Sequence, residues 1–334
     1  MSTLNIYDIA EKAGVSIATV SRVINNQGTV SAKTREKVAG IIQNYNYTPK
    51  LASSLNKSKE IVFFTSPQSL LFENSIISGI GEVAFSNKLS IRLCALKDIP
   101  RKHSDLQDFI SERGIGAAIF TLLPYSEEHY YDLSQLVPSV LLFNRIDSFP
   151  VNFIRGDHYK GGYLAIQHLV QMNHRHIGII DEVNASADHQ ERLKGVHDAL
   201  KEFNISTFKE HHLINVAHLT EMDICSQIDH LLEQNPQITA LFVANDNFIP
   251  GLYRHFRSKE VRIPEDISII GADDLPGSID LYPPLTTIRQ PVKLMSSKAA
   301  QYLIDILTGH HDAAATLQET FDVQLVVRGS TRKI

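Results

Sequence analysis

Apolar residues recur at helical spacing in three short stretches at the start of the chain. Ile6, Ile9, Ala10 and Ala13 form the first stripe, with Asn5 placed to cap it and Asp8 in its first turn. Gly14 supplies a permissive turn, and Ser16 then caps a second helix running from Ile17 to about Asn25. Its pattern points Val20, Val23 and Ile24 inward and leaves Ile17, Ala18, Ser21 and Arg22 outward. Ser31 caps a third helix whose stripe is Val38, Ile41, Ile42 and Tyr45. Three short amphipathic helices with a glycine turn make a helix-turn-helix unit, and its small outward residues allow close approach to base edges.

From residue 60 the period changes. Short apolar runs, Ile61 to Phe64, Ser90 to Leu96, Ala117 to Phe120 and Ser139 to Phe143, alternate with helical stretches such as Ile76 to Asn87 and Lys102 to Arg113. A second series opens with a helix at Tyr159 to Met172 and continues through His176 to Ile180, Ala240 to Val243 and Ser268 to Gly271. Alternation of this kind predicts parallel sheets with helices on both faces, here in two α/β lobes.

Charge sharpens the picture. Residues 1–60 carry eight Lys and Arg against four Asp and Glu, whereas the remainder carries 24 against 33. A cationic head on an acidic body suits phosphate contact at one end and solubility elsewhere. At 334 residues with 43% hydrophobic content, the chain is long enough for several domains and a large core. It contains no run of eighteen apolar residues and no hydrophobic secretory region, so a cytoplasmic protein without a membrane span is expected. Cys94 and Cys225 lack metal spacing and read as buried small hydrophobes.

Residues 5–55 resemble the DNA-binding headpiece of the lactose-repressor (LacI/GalR) family. The resemblance rests on Tyr7-Asp8-Ile9-Ala10, Gly14-Val15-Ser16, Thr19 to Asn25, Val30-Ser31 and Thr34 to Val38. It implies that the second helix reads a palindromic half-site through Ile17, Ala18 and Arg22. Arg22 can fork onto a guanine, while Ile17 and Ala18 offer apolar contact, for example to a thymine methyl. Tyr7, Ser16, Thr19, Ser21, Asn25 and Thr34 complete the implied DNA-binding set; the hydroxyls and the amide suit phosphate oxygens. Tyr47 to Leu55 resembles the family's hinge helix, with Leu55 as the wedge that enters the minor groove. The segment departs from the family pattern: Lys50 and Ser53 replace the usual Asn and Arg, and Pro49 to Leu55 is one residue shorter.

The body resembles the family's sugar-binding core, shared with periplasmic binding proteins, through Gly161 to Leu169, His174 to Gly178, Arg192 with Gly195, Ala244-Asn245-Asp246, Gly271 to Asp274 and Pro284 to Pro291. The implied domains are a headpiece with hinge at 1–58, an N-lobe at 61–160 and 291–319, and a C-lobe at 161–290 and 320–330. An effector in the cleft between the lobes would meet Arg192, Asn245 and Asp273, with Asn144 on the facing lobe. A sugar's adjacent hydroxyls both donate and accept, which suits a guanidinium, a carboxylate and an amide at strand ends. Phe72, Phe248 and Tyr282 are candidates for an aromatic platform.

Other patterns carry less. Gly79-x-Gly81-x-x-Ala84 formally fits a dinucleotide fingerprint, but its glycines fall inside a helix rather than directly after a strand. The His174/His176, His211/His212 and His310/His311 pairs lack Cys or carboxylate partners at metal spacing, and no nucleophile elbow is present. No metal, cofactor or enzyme activity is expected. No heptad zipper is expected after Val326 to Ile334; a homodimer is expected because a two-fold reader matches two half-sites, with tetramers through another interface left open. The expected function is a repressor of sugar-utilisation genes that binds a palindromic double-stranded operator and answers to a sugar or sugar phosphate. The alternative is a global regulator under a corepressor metabolite or a protein partner.

Overall fold

The computed structural model describes residues 6–24, 30–44, 60–65, 70–181, 187–205, 213–215, 221–310 and 316–334. The chain divides into two compact units, residues 1–155 with 292–319, and residues 156–291 with 320–334.

The first unit opens with α1 (Ile6–Ala13), α2 (Ile17–Ile24) and α3 (Ala32–Asn44). Ile9, Ala13, Val20 and Val38 are fully buried where the three helices meet. The end of α1 shows why Gly14 is glycine. Its φ is +63°, the Val15 N–H donates to the Ala10 carbonyl at 3.1 Å, and the Gly14 N–H donates to that of Glu11 at 3.0 Å. That bond pair turns the chain through a left-handed residue and satisfies carbonyls the helix leaves open.

There follow β1 (Glu60–Thr65), α4 (Leu70–Ser86), β2 (Ser90–Ala95), α5 (Leu106–Glu112), β3 (Ala117–Phe120), α6 (Glu127–Ser134), β4 (Ser139–Leu142) and β5 (Phe153–Gly156). Gly79 and Gly81 lie within α4, so they open no phosphate loop. The second unit runs α7 (His158–Gln171), β6 (Ile177–Asp181), α8 (Ala187–Glu202), β7 (Leu213–Asn215), α9 (Glu221–Gln234), β8 (Ala240–Val243), α10 (Ile249–Ser258), β9 (Ser268–Asp273) and β10 (Thr286–Arg289). The chain then returns to the first unit for α11 (Val292–Leu307), before β11 (Gln318–Phe321) and β12 (Gln324–Val326).

Among the described residues each sheet has six strands, ordered β11-β5-β4-β3-β1-β2 and β12-β10-β9-β8-β6-β7. The pairings from β1 to β5 and from β6 to β10 are parallel; β12 is antiparallel to β10. Strands β3, β4, β6 and β8 are buried at every residue, as parallel strands covered on both faces must be. In each unit the order reverses once, between β1 and β3 and between β6 and β8. At such a reversal the flanking helices leave on opposite faces and open a crevice at the carboxyl ends of the strands.

Cys225 is buried as expected, but Cys94 is only half-buried, because β2 is an edge strand. Among the described residues no helix is long and apolar enough to cross a membrane.

Candidate functional site

The headpiece presents α2. Its start is fixed by Ser16, whose Oγ accepts from the Thr19 backbone N–H at 3.2 Å and lies 2.9 Å from the Thr19 hydroxyl. Ser31 repeats the arrangement at α3, accepting from the Thr34 N–H at 3.2 Å with the two hydroxyls 2.8 Å apart. Arg22 is exposed, as the pattern required. Ile17 differs from the outward position expected: it is partly buried against the headpiece core, because at the first position of α2 its side chain leans back over the preceding turn. The Tyr7 hydroxyl donates to Asp132 at 2.6 Å, and His103 Nδ1 lies 2.8 Å from the other oxygen of that carboxylate. Asn25 and Leu55 lie outside the described residues, as do the side chains of Ala18, Ser21 and Phe72.

The second unit builds a polar recess at its strand reversal. Asp181 ends β6, and Ala244 and Asn245 follow β8, so they flank the crevice that topology opens there. Arg192, on α8, ties the two strand ends together. Its Nη1 donates to the Ala244 carbonyl at 2.8 Å and to Asp181 Oδ1 at 3.4 Å, and its Nη2 donates to His158 Nδ1 at 3.0 Å. The guanidinium is almost fully buried, with a side-chain exposure of 7%. Around it, His189 Nδ1 donates to Asp181 Oδ1 at 2.7 Å, and His158 Nε2 lies 3.7 Å from Asp188 Oδ2.

The recess is shallow and is lined by Asp157, His158, Arg192, Asp273 and Gln290 over an apolar floor that includes Ile288 and Val323. Asp157 caps α7, accepting from the Lys160 N–H at 2.8 Å. Asp273 ends β9 with a φ of +121°, outside the ordinary range for a residue with a side chain. Its Oδ1 accepts from Gln290 Nε2 at 2.9 Å. Burial pushes the Asp273 carboxyl up to about 6, against the opposing pull of the Arg192 charge and the Gln290 bond.

Beneath it, buried Asp246 braces the loop. One carboxylate oxygen accepts from the Asp274 N–H at 2.9 Å, the Thr287 hydroxyl at 2.9 Å and the Ser278 hydroxyl at 3.1 Å. Burial, and then the neighbouring Asp273 charge, raise its carboxyl well above the usual range.

Arg192 and Asp273 thus line one recess, and Asn245 stands beside it with its amide oxygen accepting from the Asn247 N–H at 3.0 Å. Asn144 follows β4 in the first unit and donates to the Thr121 carbonyl at 3.0 Å. Neither described aromatic candidate lines the Arg192 recess. Phe248 borders a separate apolar pocket with Ile224, Cys225 and Leu252, because the helical turn after Asn245 carries it past the strand ends. Tyr282 is 95% exposed, on the loop between β9 and β10. His158, Asp181, Asp188, His189 and Gln290 were not expected in the site. A signal existed for Asp181, a charged residue closing an otherwise apolar strand. Among the described residues no group of three or more His, Cys, Asp or Glu is placed to hold a metal ion.

Residues 5–50 match the bacterial regulatory proteins of the lacI family, and residues 166–331 match the periplasmic binding protein-like domain. The HTH-type transcriptional repressor PurR of Haemophilus influenzae is 31% identical over 340 residues, covering 98% of this chain and 99% of that protein. The HTH-type transcriptional regulator DegA of Bacillus subtilis is 29% identical over 300 residues, 88% of either chain. Among solved structures, the lac repressor dimer bound to operator and the anti-inducer ONPF superposes with a TM-score of 0.66, at 28% identity and over 99% of this chain and 100% of that one. The transcriptional regulator CelR–cellobiose complex gives a TM-score of 0.70 at 25% identity, over 98% of this chain and 99% of that one.

A helix-turn-helix headpiece joined to a periplasmic-binding-protein-like core defines a DNA-binding transcription regulator, not an enzyme. The chain belongs to the LacI family.

Proposed function

We propose that the protein is a repressor whose affinity for a palindromic operator is set by a small sugar-like effector held in the Arg192 recess. The observation that carries the reading is Arg192 itself: one buried guanidinium joins the ends of β6 and β8 at the strand reversal, beside the half-buried Asp273 carboxylate. Polar groups converging on an apolar floor at that place in a doubly wound sheet are what a small polar ligand requires. The solved relatives bound to cellobiose and to ONPF support the reading.

On the DNA side, Arg22 reads a base edge, with apolar contact from Ile17 and Ala18. Ser16, Thr19, Ser21, Asn25 and Thr34 hold phosphates, and Tyr7 joins them when its hydroxyl leaves Asp132. Leu55 is the minor-groove wedge. The regulator acts as a homodimer in the cytoplasm, where its operator lies, since a two-fold protein matches two half-sites. Effector and operator are linked reciprocally: each alters the equilibrium affinity for the other by the same factor.

The test is selection from random-sequence DNA at fixed salt, repeated with a panel of sugars. Enrichment of a palindrome whose affinity one sugar shifts, with the shift lost in Arg192→Ala, is the expected result. A palindrome indifferent to every sugar would move control to a corepressor or a protein partner. Failure to enrich any palindrome would end the operator reading.

A further inference from the structure

The recess offers acceptors in excess of donors. Among the described residues lining it, Arg192 is the one guanidinium or ammonium group, and its terminal nitrogens already donate to Asp181, the Ala244 carbonyl and His158. Because Nδ1 of His158 accepts that bond, the ring carries its proton on Nε2, which faces Asp188. The nearby ammonium of Lys160 is drawn away to Asp322, 2.6 Å from its carboxylate.

Carboxylates dominate on the other side of the balance. Asp157 and Asp273 line the recess, and Asp181 and Asp188 stand directly behind Arg192 and His158, with side-chain exposures of 0% and 3%. The two helix N-termini nearby, which elsewhere attract anions, already have carboxylates of their own: Asp157 caps α7 and Asp188 lies in the first turn of α8. Acceptors of the lining itself are still unmet among the described residues. Asp273 binds Gln290 through Oδ1 and has no donor at its second oxygen, and Gln290 Oε1 is buried with no hydrogen-bond partner.

We propose, building on the effector reading above, that the ligand of this recess carries a protonated amine: a hydroxylated ammonium compound of the amino-sugar class, its ammonium received by Asp273 and Gln290. An ammonium brings three donors and no acceptor, which matches the open groups. A phosphate brings only acceptors and negative charge into a carboxylate-rich, partly desolvated site, where like charges repel more strongly than in water. Burial holds the Asp273 carboxyl up to about 6, and an adjacent cation would bring it back toward the ordinary range.

The full-length protein is titrated calorimetrically at neutral pH with matched triplets: glucose, glucosamine and glucose 6-phosphate, then the galactose and mannose series. One amine is expected to bind at least about tenfold more tightly than its neutral and phosphorylated counterparts, a difference of about 1.4 kcal/mol. That preference should vanish in Asp273→Asn, which keeps the side chain's shape and its bond from Gln290. A neutral or phosphorylated sugar ranking first, or no binding by any amine, overturns the proposal. If the winning sugar is not an amine but loses affinity in Arg192→Ala, the effector reading survives the loss. Binding unaffected by Arg192→Ala removes both.

Discussion

Gly162 of α7 lies so close to Arg192 of α8 that a Cβ there would overlap the Arg192 carbonyl oxygen, and a Cβ at Gly195 would overlap the carbonyl of Tyr159. The two glycines let the helices approach backbone to backbone, and that approach places the guanidinium at the strand ends. Gly162→Ala must push α8 outward, since carbonyl groups of a helix cannot step aside as a flexible side chain can. The expected cost is about 1–3 kcal/mol, as for other overpacked interiors. Denaturant midpoints measure it, and operator affinity with and without effector should show the response lost while DNA binding persists. A variant that keeps parental stability and response would show that α8 has room this packing denies.

Asp273 supplies a pH signature. Its folded carboxyl sits near 6 through burial, above the ordinary value of about 4. A raised acid contributes stability that is fully present below the unfolded value and is lost as pH rises through the folded one. Asp273→Asn, which cannot ionise, should therefore gain on the parent protein above pH 6, by about 1–3 kcal/mol, and the two should converge below about pH 4. Thermal melts across that range check it; a constant offset would mean that Asp273 is not the titrating group.

Much of this was legible because it is local. Ser16, Gly14 and Ser31 announce helix ends through bonds spanning three to five residues, and those bonds are present. The apolar runs at Ile61, Ala117 and Ala240 became β1, β3 and β8 because fully buried strands need no polar face. The edge strands β7 and β11 are too short for a period to show, at three and four residues, and β11 is mostly polar. In the site, Arg192 and Asp273 stood out through family-like motifs. His158, Asp181, Asp188 and His189 did not, since no spacing places the start of α7 beside the end of β6; only the strand order does. Nearness in sequence points to Tyr282 and Phe248, but the direction in which a loop turns is not written at that range.

Arg22 is exposed on α2, whose opposite face packs through Val20 and Val23. Its removal should leave the headpiece folded. Arg22→Ala is expected to weaken operator binding by about 1–3 kcal/mol and to relax preference at one symmetric base pair, the effect of losing a forked contact to guanine. Competition between operator and base-substituted operators at fixed salt separates this from a phosphate contact, whose loss would weaken all sequences alike.

His174 is buried at 1% exposure, with Nδ1 2.8 Å from the Thr239 hydroxyl and Nε2 3.1 Å from the Arg332 carbonyl. A carbonyl only accepts, so Nε2 carries the proton, the hydroxyl donates to Nδ1, and the ring is neutral. A second proton would displace the hydroxyl's donation and place a charge out of water. Burial accordingly lowers this histidine to about 4. A lowered histidine has the opposite sign to Asp273: its contribution is present above the unfolded value of about 6.5 and is lost as pH falls through the folded one. The protein should lose up to about 3 kcal/mol between pH 6.5 and 4 from this residue alone. His174→Gln should be less stable at neutral pH, through imperfect replacement of two buried bonds, yet flatter across that window. Denaturant melts of the two proteins at pH 7.5, 6, 5 and 4 decide it; parallel slopes would assign the acid sensitivity to other groups, such as buried His168, whose ring is also lowered by burial.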